Sequence, residues 1–239
     1  MEAVPADSRL HRSRPHLHPE TAAAAGPVFD TTEVRWFATG TLPQEIVDWF
    51  TQTGARGTLE IRQDAYLRAG SPSIGRKRRN YGPFEIKTRL GLGPAFHFGG
   101  QLSGRIERWR KVISTRPHLP RPSRQWAKVH KVVVTRTYHE TRPGVLVEVH
   151  RGDTSVPGCD IELAEVTVND IEAWTLALET WGPEGEQHRI LERAAASFIG
   201  ETGLPGSSAA RLTVDMGYPA WLEEFVPASD RYLRSMTTR

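Results

Sequence analysis

Cysteine is almost absent from this sequence. The single Cys159 among 239 residues excludes an internal disulfide framework and fits a reducing compartment, so a cytoplasmic location is expected. Long apolar runs are missing as well. No stretch approaches the roughly 20 residues that a membrane-spanning helix requires, and no membrane partner is expected. The opening residues, MEAVPADSRLHRSRPHLHPETAAAAGP, lack the compact apolar segment of a secretory signal. Residues 1–30 read as a disordered arm, and residues 31–239 as one domain with a helical extension at its C-terminal end. There is also little net charge. Thirty-one Lys and Arg against 28 Asp and Glu leave +3, which argues against a general polycation. Nucleic acid is therefore the weaker partner class, reached through outer basic residues and the arm. A strong positive field must come from local arrangement.

What is present is a series of β-forming segments separated by turn residues. TEVRWFAT (32–39) alternates Val34, Trp36 and Ala38 against Glu33, Arg35 and Phe37. GTLPQEIVDWFTQTG (40–54) reads as a short helix capped by Thr41, with Pro43 in its first turn and Ile46, Val47, Trp49 and Phe50 as its apolar stripe. GTLEIRQDAYLR (57–68) follows. PSIGRKRRN (72–80) and GPFEIKTRLG (82–91) then form a hairpin. GRIERWRKVI (104–113) precedes a proline-rich loop at 116–124. QWAKVHKVVVTRTY (125–138), GVLVEVHR (144–151) and CDIELAEVTV (159–168) complete eight strands. NDIEAWTLALETWG (169–182) reads as a helix capped by Asn169, with Trp174, Thr175 and Trp181 leaving a strand open. A second helix starts at Pro183 and ends at Gly200 or Gly203, and the aromatics of MGYPAWLEEFVP pack back on the body. The fold class is α+β: an eight-stranded antiparallel β-barrel or tunnel with flanking helices, of a size that can hold a small ligand.

Charge recurs on one face of strand after strand. Arg76 and Arg78 share a side. Glu85, Lys87 and Arg89 do too, opposite Phe84, Ile86 and Thr88. Arg108 and Arg110 align with Ile106. Lys128 and His130 share one side, and Lys131 takes the other with Val129 and Val133. Glu33 stands with Arg35, Arg62 with Asp64, and Glu148 with Leu146 and His150. Glu162 and Glu165 fall on opposite faces. Charges turned to water are the commonest arrangement for an antiparallel sheet. Repetition over consecutive strands, in both signs, favours a polar lumen with the apolar layer outside, beneath helices. Cations confined in a tunnel repel one another unless counter-charged, and a polyanion relieves that repulsion. Arg offers planar forks to phosphate oxygens and Lys a compact charge, while carboxylates can hold a divalent cation that bridges to phosphate. His130 reads as a hydrogen-bonded structural residue, Cys159 as a structural thiol and Tyr66 as a packing residue.

These segments resemble the CYTH superfamily, the triphosphate tunnel metalloenzymes, over roughly Glu33 to Glu179. GRKRRNYGPFEIKTR is similar to that family's pair of basic strands, KVHKVVVTRTY to its later Lys/Arg strand and CDIELAEV to its closing acidic strand. The resemblance implies a tunnel that binds a triphosphate-containing small molecule or inorganic triphosphate. It implies phosphate contacts from Arg35, Arg62, Arg76, Arg78, Lys87, Arg89, Arg108, Arg110, Lys128, Lys131 and Arg136. Mg²⁺ or Mn²⁺ would be held by Glu33, Glu148, Glu162 and Glu165, with Glu33, Lys87 and Lys131 as catalytic residues of a phosphoanhydride hydrolase. The chain departs from the family in two places. Its opening Glu-x-Glu-x-Lys motif is EVRWF here, with Arg35 at the second acid and Phe37 at the lysine. Val133 stands where a second base follows Lys131. A non-catalytic nucleotide or polyphosphate sensor and an adenylate cyclase-like enzyme are the alternative readings.

Overall fold

A computed structural model describes residues 25–52, 57–68, 70–80, 82–114, 126–150, 153–199 and 203–226. The elements run β1 (Ala25–Thr39), α1 (Gln44–Thr51), β2 (Thr58–Leu67), β3 (Ile74–Arg79), β4 (Phe84–Phe98), β5 (Leu102–Ser114), β6 (Trp126–Arg142) and β7 (Val145–Val149). They continue with β8 (Gly158–Val168), β9 (Ile171–Trp181), α2 (Gln187–Ile199), α3 (Gly206–Ala209), β10 (Val214–Asp215) and α4 (Tyr218–Phe225). Residues 25–30, assigned to the arm from sequence, form the start of β1; the rest of the arm and the proline-rich loop lie outside the described residues. Pro43, not Thr41, stands at the start of α1, without a side-chain cap.

Eight strands join in a ring in the order β1, β5, β4, β3, β2, β6, β8, β9, closed by pairing of β9 with β1. That closing ladder aligns nine residue pairs, from Thr31 opposite Trp181 to Thr39 opposite Ala173, and each pairing in the ring is antiparallel. The architecture is a tunnel-like α+β fold. Its ring membership differs from the sequence reading. β7 pairs only with β6 at the side, and residues 171–181, read as a helix with a strand left open, are the strand that closes the ring. Asn169 adopts a left-handed φ of 54°, so Asn169 and Asp170 turn the chain straight from β8 into β9. Residues 173–178 are buried on both faces. The resulting unbroken apolar run hides the period-two pattern that marks a half-exposed strand.

The ring is built with its main apolar layer outside. Val34, Trp36 and Ala38 of β1, Ile161 and Leu163 of β8, and Trp174, Leu176 and Leu178 of β9 pack beneath Ile46, Trp49 and Phe50 of α1 and Ile190, Leu191, Ala194, Ala195 and Phe198 of α2. A second apolar cluster occupies one end of the inner face, where Phe37, Tyr66, Val129, Val133 and Val166 meet Tyr218, Trp221 and Leu222 of α4. Phe37 stacks on Trp221 at 4.8 Å and meets Tyr218 edge-on at 5.1 Å. The helices leave part of the outer surface uncovered: Leu59, Ile61 and Val132 stay exposed on β2 and β6. Among the described residues no helix is long and apolar enough to cross a membrane.

Trp36 anchors the outer layer. Its indole donates to the Ser103 carbonyl at 2.8 Å, and Gly104 leaves room for the ring, because a Cβ there would lie 2.7 Å from Trp36 Nε1. Trp36→Ala is expected to lower stability by about 3–5 kcal/mol in urea unfolding, the range for truncating a fully buried aromatic.

Candidate functional site

Period-two alternation decides which charges the ring encloses. On each strand the residues that share a side with outer-layer apolar groups point away from the interior. The others converge on a cavity of about 80 Å³, lined by seven basic side chains (Arg35, Arg62, Lys77, Arg79, Lys87, Lys111 and Lys131) and four acidic ones (Glu33, Glu85, Glu162 and Glu179). Trp109, Tyr66 and the Gly217–Pro219 segment ahead of and within α4 complete the walls. Gly217 passes so close to the wall that a Cβ would lie 2.7 Å from a Glu107 carboxylate oxygen.

Two ion clusters divide this interior. In the first, Arg35 donates from Nε to Glu33 at 2.9 Å and from Nη1 to Glu162 at 2.8 Å and Thr175 at 3.2 Å. Lys87 Nζ bonds the other oxygen of Glu33 and reaches Glu179 at 3.1 Å. Next to it, Glu107 accepts from Arg89 and from the Trp109 indole. Burial would raise the Glu162 and Glu179 carboxyls, but Arg35, Lys131 and Arg62 around Glu162, and Lys87 and Lys111 near Glu179, hold both well below the carboxylate range. Glu107 differs: burial and the neighbouring Glu33 push its carboxyl up despite Arg89.

The second cluster gathers four cations on one carboxylate. Asp64 is fully buried, and Lys131 Nζ at 3.3 Å, Lys77 Nζ at 3.5 Å, Arg62 Nε at 3.7 Å and Arg79 Nε at 3.9 Å surround it. Arg62 also pairs with Glu60 and Glu162, and Lys77 lies 3.8 Å from Glu85. The carboxylates do not fully offset the cost of burying the two lysines. Burial pushes the Lys131 ammonium well below the usual lysine range against the pull of Asp64, and burial with Arg79 lowers Lys77. Lys131 Nζ is propped by the Tyr66 hydroxyl at 3.2 Å and sits 3.5 Å from the centre of the Tyr218 ring. Among the described residues Arg62 Nε, Arg79 Nε, Asp64 Oδ1 and the Tyr218 hydroxyl are buried without a hydrogen-bond partner.

Of the residues singled out from sequence, Glu33, Arg35, Arg62, Lys87, Lys131 and Glu162 line this interior, and Arg89 stands beside it on Glu107. The others lie outside the ring wall. Arg76 and Arg78 alternate with the inward Lys77 and occupy the outer side of β3. Arg108 pairs with Glu184 and Arg110 with Asp30 in exposed positions. Lys128 and Glu165 are exposed. Arg136 packs against Phe198 beneath α2 and bonds Glu148 there. Lys77, Arg79, Lys111, Asp64, Glu107, Glu179 and Tyr218 were not singled out. For β3 and β5 a usable signal existed: Ile74 and Ile106 belong to the outer side, so their alternates Lys77, Arg79, Trp109 and Lys111 must face in.

The donors present do not fit Mg²⁺ or Mn²⁺. Glu148 and Glu165 are on the far side of the wall, and the Arg35 guanidinium stands between Glu33 and Glu162. Among the described residues no three His, Cys, Asp or Glu side chains come together as a group that could hold a metal ion.

Fold and interior together define a tunnel-like α+β protein with an ionic, cation-rich lumen. No protein-family model matches the chain, and no curated protein matches it significantly. Among solved structures it is similar to the S. pombe Pct1 RNA triphosphatase, determined in complex with the Spt5 CTD. Identity is 11%, the match covers 80% of this chain and 87% of that one, and the TM-score is 0.39. At that similarity the meaning of the interior rests on its own geometry.

Removing the carboxylate at the centre of the second cluster leaves buried cations uncompensated. Asp64→Asn is therefore expected to destabilise the protein by about 3–5 kcal/mol in denaturant unfolding, with partial recovery in sulfate. Acid should act in the same sense. Asp64, Glu162 and Glu179 have carboxyl groups held below their unfolded values, so their contribution is complete above the ordinary carboxylate pKa and lost as pH falls through and beneath it. The thermal midpoint should drop below about pH 5.

Proposed function

We propose that the ring interior binds the phosphate chain of a triphosphate-containing ligand, either a small molecule or inorganic triphosphate. The observation that carries this reading is the cluster around Asp64, where four cations share one buried carboxylate. Seven basic against four acidic side chains line the same cavity, an excess that favours a compact anion rich in acceptors. The Nε groups of Arg62 and Arg79 face Asp64 Oδ1 from 3.7 and 3.9 Å, beyond hydrogen-bond reach, and a closer acceptor would favour the same class of ligand, since an unsatisfied buried donor costs about 1–3 kcal/mol. Lys87 and Lys111 supply further positive charge to the same cavity, which allows a chain of phosphoryl groups to be held along it.

An incoming polyanion competes with the resident carboxylates for these cations. A long nucleic acid is disfavoured by the enclosure of the cations within the ring, because phosphodiester binding draws on charges spread over an accessible surface.

Calorimetric titration with tripolyphosphate tests the reading. Lys77→Ala combined with Arg79→Ala should weaken binding by about tenfold or more, the value of one or two charge-assisted contacts. Arg110→Ala, on the outside, should stay within about twofold. Equal losses for both variants would remove the interior assignment. Release of phosphate in Mg²⁺ or Mn²⁺ would instead mark a hydrolase. Length-dependent RNA binding with a steep salt slope would mark an RNA-binding surface.

A further inference from the structure

We infer that Arg35 is a built-in replacement for a divalent cation, so that phosphate binding in the ring is independent of metal. This rests on the reading of the interior as a phosphate site, and the geometry around Arg35 carries it.

The guanidinium bridges carboxylates on two strands that are not neighbours. Glu33 lies on β1 and Glu162 on β8, with β9 between them, and Thr175 of β9 accepts from the same Nη1 that reaches Glu162. One cation therefore ties three strands together at the centre of the ring. Every oxygen of the two carboxylates has a cationic partner: Glu33 has Arg35 and Lys87, and Glu162 has Arg35 and Arg62. A divalent ion ligated by Glu33 and Glu162 would have to sit where the guanidinium is. Arginine does not lose its proton in proteins, so it cannot make way by becoming neutral. It cannot easily swing out either, with the Tyr218 ring 4.7 Å from the guanidinium carbon. The remaining interior acids are also engaged, Glu179 by Lys87, Glu107 by Arg89, Asp64 by Lys77 and Lys131, and Glu85 by Lys77.

A fixed planar cation changes what the site can do. It offers phosphate oxygens directional N–H donors and a constant charge, and neither depends on the metal content of the surroundings.

Paramagnetic titration of the full chain with Mn²⁺, in the absence of phosphate, decides the matter. Wild type is expected to show no stoichiometric protein-bound Mn²⁺. Arg35→Glu, which replaces the guanidinium by a third carboxylate, is expected to bind Mn²⁺ at least about tenfold more tightly than wild type. Stoichiometric Mn²⁺ binding by wild type that disappears in Glu162→Gln would overturn the inference. Should Arg35→Glu fail to fold, the wild-type and Glu162→Gln titrations still give the answer. A parallel titration of wild type with tripolyphosphate in EDTA separates the two readings. Binding in EDTA is expected, while absence of tripolyphosphate binding under all conditions would defeat the phosphate reading and leave the Mn²⁺ result to judge Arg35.

Discussion

A lysine or arginine enclosed by protein must have a counter-charge, because confinement removes the water that would otherwise stabilise it. That constraint organises this fold from the inside. Each strand of the ring contributes its share of one sign or the other, and the strand register brings the shares opposite one another. Glu33 is aligned with Glu107 on one side and Glu179 on the other, a row of three acids across adjacent strands. Left alone that row would repel itself. Lys87, Arg35 and Arg89 reach into it from the same enclosed face. The opposite wall reverses the roles, with Asp64 as the acid among bases. The ionic interior is thus a three-dimensional register device as well as a candidate binding site: a one-residue slip of any strand would turn its charges into the outer apolar layer.

The second organising feature is the inversion of layers. An ordinary antiparallel sheet turns its apolar side to the core and its charges to water. Here the apolar side faces outward and is covered by α1 and α2, which frees the enclosed side for polar chemistry. Where no helix covers the wall, Leu59, Ile61 and Val132 are left exposed on its outer surface.

This inversion explains what could be read in the sequence. The hairpin of β3 and β4 and the strands β1 to β8 were legible from alternation and turn residues. Lys87 faces inward opposite Phe84 and Ile86, while Arg35 and Lys131 face inward beside apolar neighbours of their own, Phe37 and Val129 with Val133, so on β1 and β6 alternation alone left both faces partly apolar. Arg76 and Arg78 did not, although Ile74 shares their face: GRKRR is basic at consecutive positions, and its composition without that neighbour gives no side. Arg110 was misplaced although Ile106 shares its face and belongs under the outer layer. Glu179 was hidden for a different reason: its strand is buried on both sides, so the apolar run resembles a helix. That the aromatics around Tyr218 pack back on the body was legible, but their partners, Phe37 and Lys131, lie far away in sequence and no local pattern encodes them.

Ring closure by β1 and β9 also bears on how the molecule comes into being. The strand nearest the start of the described chain waits for a partner that leaves the ribosome only after seven others. Such nonlocal pairing carries a high contact order and slows assembly. Closing this ladder encloses the basic and acidic side chains, so the cost of dehydrating them is tied to a pairing between distant parts of the chain.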